Sequence, residues 1–61
     1  MTYCRFFITV DWDEVTLVNA VNYELAEKEA NILLKKHYED TNERGNAYIF
    51  QDNVQIAVIR N

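Results

Sequence analysis

Few side chains in this 61-residue sequence can do chemistry, and their types and spacing limit what that chemistry is. Cys4 is the one thiol and His37 the one imidazole. Nucleophilic catalysis needs a nucleophile, a base and a group that orients the base. Cys4 falls on the inward side of an alternating segment, where a cysteine packs as a small hydrophobe. His37 falls near the end of a helical pattern. There it packs at the edge of the core or sits as a cation at the helix C-terminus. A structural zinc site takes four N or S ligands, more than these two residues provide. A lone cysteine forms no intramolecular disulfide.

Asp11, Asp13 and Glu14 bring three carboxylates together within four residues, a set that suits hard cations or a basic protein surface. The segment lacks the glycine of a calcium-binding loop, so the expectation is a solvated acidic turn with Trp12 as its one large apolar member. Gly45 is the only glycine, which excludes phosphate loops and dinucleotide fingerprints, since both need several. No catalytic residue, cofactor site or metal site is expected, and the chain reads as a non-enzyme.

The net charge is −4. Nucleic acid phosphates bind basic fields. An acidic balance instead fits solubility, a basic protein partner or mimicry of nucleic acid charge. No apolar run approaches the roughly 20 residues of a membrane helix, and a lone cysteine suits a reducing compartment, so a cytoplasmic location is expected. Residues 1–61 are expected to form a single domain. A chain this short buries only about 60% of its unfolded surface. Self-association is one way to add stability, and a homodimer is expected.

Residues 3–10 alternate, with Cys4, Phe6, Ile8 and Val10 on one side, and β-forming types predominate. Residues 15–21 are rich in β-branched side chains, which favour strand. Setting Val10 opposite Val15 pairs Ile8 with Leu17, Phe6 with Asn19 and Cys4 with Val21, and only Asn19 spoils the inner side. Asn22 is a suitable N-cap, with Glu24 in the first turn. Tyr23, Ala26, Ala30, Leu33, Leu34 and His37 then form one face of a helix over about 23–39. Leu25 and Ile32 fall on its opposite side. Two strands at 47–51 and 54–60 flank Asp52-Asn53, both tolerant of positive φ, as a two-residue hairpin requires.

The expected fold is α+β, in the order ββαββ: two β-hairpins joined by one helix that packs on one face of an antiparallel sheet. The competing arrangement is βαββ with one long helix over 14–40. Its apolar stripe would be interrupted by Lys28, Glu29 and Lys36.

One helix covers one sheet face. The other is expected to carry Tyr3, Arg5, Phe7, Thr9, Thr16, Val18, Tyr48, Phe50 and Ile59, where a solvated face would be mostly polar. An apolar patch of this kind marks an interaction site unless the tails or the Trp12 turn fold over it. Three expectations follow. The first is a non-enzymatic protein that binds and inhibits a protein or nucleoprotein partner. Its sheet face is Tyr3, Arg5, Phe7, Val18, Tyr48, Phe50 and Ile59, its acidic contact turn is Asp11, Trp12, Asp13 and Glu14, and Leu25 with Ile32 is a weaker second patch. The second is a binder of single-stranded nucleic acid, whose bases stack on the sheet aromatics beside Arg5 and Arg60. The third is a purely structural subunit of a homo-oligomer. In brevity, acidity and lack of a catalytic set the chain is similar to small inhibitors encoded by phages and mobile elements, many anti-CRISPR proteins among them. The likeness is one of general architecture and rests on no motif.

Overall fold

The computed structural model describes residues 2–60. Strand β1 (Cys4–Val10) and strand β2 (Val15–Ala20) form the first hairpin, helix α1 (Tyr23–Thr41) follows, and β3 (Asn46–Gln51) with β4 (Val54–Arg60) forms the second hairpin. The strands make one antiparallel sheet in the order β2-β1-β3-β4. This is the expected ββαββ arrangement, and residues 15–20 are strand rather than an extension of the helix.

The helix begins where its cap is. The Asn22 side-chain oxygen accepts the Leu25 backbone N–H at 3.1 Å, satisfying one of the donors that a helix N-terminus leaves open. It ends at Asn42, whose φ of 59° closes the last turn through an N–H donated to the Tyr38 carbonyl at 2.7 Å. The left-handed cap is therefore an asparagine, and Gly45 does other work.

The core lies between α1 and the inner side of β1 and β3. Phe6, Ile8 and Ile49 are its large members, and Ala20, Ala26, Ala30 and Ala47 are buried with them. The small side chains let the helix sit close to the sheet, where interiors pack at crystal-like density. Leu34 is buried, while Tyr23, Leu33, Cys4 and Val10 pack around the margin.

Two details differ from expectation. In the first hairpin Cys4 pairs with Ala20, Phe6 with Val18, Ile8 with Thr16 and Thr9 with Val15, one residue away from the expected register. A one-residue slip exchanges the faces of a strand. Thr16, Val18 and Ala20 therefore face the helix, and Val15, Leu17 and Asn19 face outward. The alternative would bury the Asn19 amide beneath α1, at the cost of desolvating a polar group. The observed register puts Ala20 there instead, at the price of an exposed Leu17. In the second hairpin the Asp52-Asn53 turn is as expected, with φ of 53° and 64°, and Gln51 pairs with Val54. Beyond it a bulge leaves Ile56 as an extra residue, so Ile49 pairs with Ala57, Tyr48 with Val58 and Ala47 with Ile59. Ile59 thus packs against the core rather than facing outward, and Val58 takes the outer side.

Two outcomes test this packing. Ile8→Ala deletes a fully buried side chain and is expected to cost about 2–5 kcal/mol in denaturant melts, most of the stability of so small a domain. Separately, burial, helped by the Glu27 carboxylate one turn on, holds the Tyr23 phenol above its usual pKa of 10.0. A raised folded-state value contributes stability that is complete below pH 10 and is lost as pH climbs through it. An alkaline unfolding titration of Tyr23→Phe is expected to fall less steeply above pH 10 than that of the native chain.

Candidate interaction site

The outer face is built by alternation from β1, β2 and β3. Phe7 lies opposite Phe50 and Leu17, and Thr9 opposite Tyr48 and Val15. Arg5, opposite Asn19, is exposed at the far end. Phe7, Tyr48 and Phe50 are half-buried with no described helix on their side.

The turn after β1 completes the face. Asp11 and Trp12 both take left-handed backbone, with φ of 52° and 63°, and the Asp13 N–H closes the turn on the Val10 carbonyl at 3.1 Å. Left-handed backbone costs a side-chain-bearing residue roughly 1–2 kcal/mol. Here it carries the Trp12 ring onto the outer face, stacked on Tyr48 at 4.2 Å between centroids and 22° between planes. Phe50 meets the same ring edge-on at 5.8 Å. Offset stacking and edge contacts of this kind add about 0.5–1.5 kcal/mol beyond area burial. Trp12 nevertheless remains 60% exposed, so it shields part of the face and is itself a large apolar surface.

Asp11 turns the other way. Its backbone N–H donates to the Asn46 carbonyl at 3.0 Å, and its Oδ1 accepts the Asn46 N–H at 3.0 Å. Its Oδ2 stands 3.5 Å from His37 Nε2, a buried nitrogen with no well-aligned hydrogen bond among the described residues. Gly45 makes this approach possible. A Cβ there would lie 2.5 Å from Asp11 Oδ2 and 3.1 Å from both His37 Cδ2 and Val10 Cγ1. His37 thus sits at the core's edge, one of the two places expected for it.

The expected site residues therefore divide. Phe7, Tyr48 and Phe50 come together on the outer face, with Trp12 added from the turn. Val18 and Ile59 lie on the helix side. Tyr3 precedes β1 and lines a groove with Val18, Val21, Leu25 and Ile32 between β2 and the helix. Leu25 and Ile32 are exposed together, as expected. Sequence reasoning missed Val15 and Leu17, which the register places outward. The acidic turn is split as well, because Asp13 and Glu14 line a cleft of about 510 Å³ with Thr16, Lys36, His37 and Asp40 on the helix side. Arg60, expected beside the aromatics, borders a separate cleft with Asn31, Lys35, Tyr38 and Arg44. No group of three potential metal ligands stands together among the described residues. No described helix is long and apolar enough to cross a membrane.

No protein-family model matches this chain, and no curated protein or solved structure matches it either.

Gly45→Ala is expected to destabilise the protein by about 1–3 kcal/mol, because its methyl group displaces Asp11 from between His37 and Asn46. In an Asp11→Ala background the same change should cost clearly less. A double-mutant cycle by thermal denaturation measures the difference.

Proposed function

We propose that this protein is a non-enzymatic interaction module whose binding surface is the outer sheet face centred on Trp12, Tyr48 and Phe50. The observation that carries this reading is the placement of Trp12. A large aromatic is held on strained backbone, stacked on a second aromatic, and left mostly in solvent. Strained residues of this kind cluster where a ligand is met. Rigid, pre-stacked aromatics bind with little further loss of side-chain freedom, and tryptophan and tyrosine dominate interface hot spots. Phe7, opposite Phe50, extends the apolar area around this cluster.

The partner is a protein or nucleoprotein that presents an apolar pocket within a basic rim. Asp13 and Glu14 lie on the far flank of the same turn, close enough for a net charge of −4 to speed encounter with a basic surface. The protein acts by occupancy: seated on its partner, it denies that surface to the partner's own substrate or subunit. Small inhibitors of phages and mobile elements, anti-CRISPR proteins among them, are the class this mode of action resembles. Stacking of single-stranded nucleic acid is a weaker fit, because Tyr48 already gives a ring face to Trp12 and the second arginine lies elsewhere.

Affinity capture with the native chain, Trp12→Ala and Phe50→Asp as parallel baits tests the proposal. Trp12→Ala is expected to weaken the captured complex by at least about 30-fold while leaving circular dichroism unchanged. A partner held equally well by both folded variants would show that the site lies elsewhere.

A further inference from the structure

We infer that the free edge of β2 is a homodimer interface, at which two copies pair antiparallel to extend the sheet from four strands to eight. The inference is independent of the aromatic face. It rests on three observations.

The two edges of the sheet are not alike. An edge strand presents unpaired N–H and C=O groups, and proteins blunt it with charge, proline, bulges or brevity. β4 carries a bulge at Ile56 and ends in Arg60. β2 is regular, and residues 15–23 are the longest stretch of the chain without a charged residue. In a protein of net charge −4, this is where a second copy approaches with least repulsion.

Large apolar side chains also flank that edge on both faces of the sheet. Val15 and Leu17 are 63% and 51% exposed on the outer side, and Leu25 and Ile32 are 42% and 58% exposed across the groove on the helix side. An edge pairing that used only backbone would leave all four in water.

The helix beside the edge is chemically palindromic. Leu25 and Ile32 lie equally far from the midpoint between Lys28 and Glu29, and all four line the groove along β2. Antiparallel pairing of β2 about a two-fold axis perpendicular to the sheet keeps both helices on the same side and sets them antiparallel. That operation turns Leu25 toward Ile32 of the other copy, and Lys28 toward Glu29 of the other copy. A foreign strand would complete the backbone ladder but has no reason to match this order of charges. A second copy matches it by symmetry.

Light scattering and sedimentation from about 1 to 200 μM test the inference, with the ion pairs expected to set the size of the change. The native chain is expected to be dimeric at the upper end. Lys28→Glu and Glu29→Lys, each on an exposed helix position, should each weaken the dimer about tenfold by setting like charges across the axis. The double variant K28E/E29K should restore it to within about threefold. Ile32→Glu should leave a folded monomer, and Trp12→Ala should leave dimerisation unchanged. A native chain that stays monomeric at 200 μM overturns the inference. So does a dimer that Ile32→Glu leaves intact, or a double variant no tighter than the single ones.

Discussion

A sheet has two faces, and the described residues supply one helix to cover them. That shortage governs the rest of the structure. The covered face is packed by bringing α1 close, through alanines on both sides: Ala26 and Ala30 on the helix, Ala20 and Ala47 on the strands. Close approach lets three large residues, Phe6, Ile8 and Ile49, be almost wholly buried in a domain too small for a thick core. Among the described residues the other face has no second layer. It is held by large side chains leaning on one another across the strands, with Phe7 opposite Phe50 and Trp12 laid over Tyr48.

The turn between β1 and β2 serves both faces. Two consecutive left-handed residues reverse the chain and send neighbouring side chains to opposite sides. Asp11 goes to the helix side, where Asn46 and Gly45 receive it beside His37. Trp12 goes to the outer side. The anchoring of Asp11 offsets the backbone cost of placing Trp12, because a turn tied to β3 by reciprocal bonds is not free to relax. The Asp11 anchor and the Trp12 ring are thus one peptide unit apart, on opposite faces of the sheet.

The element order and the helix were legible in the sequence because their signals are local: Asn22 at the cap, the 3.6-residue stripe, and Asp52-Asn53 between alternating runs. Registers were less legible. In β2 the choice lay between Leu17 and Ala20 on the inner side, and hydrophobicity alone favours Leu17. Only the close helix, and the cost of an amide at Asn19, favour Ala20. In β4 the run Ile56-Ala57-Val58-Ile59 is apolar throughout, so alternation says nothing of which residue faces inward, and a bulge leaves no mark on such a run. The Asp11–Asn46 bond spans 35 residues, and no local pattern announces it. A single glycine outside any cap was a faint sign that some group must come close. Phe7, Tyr48 and Phe50 share the outer face despite these shifts, because alternation in β1 and β3 is regular enough to fix which side faces the helix. Val18 and Ile59 lie on the two strands that slipped.

The slip in β2 also changes what the edge of the sheet is. In the expected register Leu17 and Val21 would have been drawn inward and the outer side of β2 left to Thr16 and Val18. In the observed one, β2 keeps its small residues for the helix and turns Val15 and Leu17 to solvent, next to Phe7. A monomer gains nothing from that exposure beyond avoiding a buried Asn19. The proposed pairing of β2 would cover that exposure, and the bulge in β4 interrupts the ladder at the opposite edge. The sheet thus divides its surfaces by geometry. The two proposed interactions therefore use separate surfaces, the β2 edge for a second copy and the stacked rings at the sheet centre for a different partner.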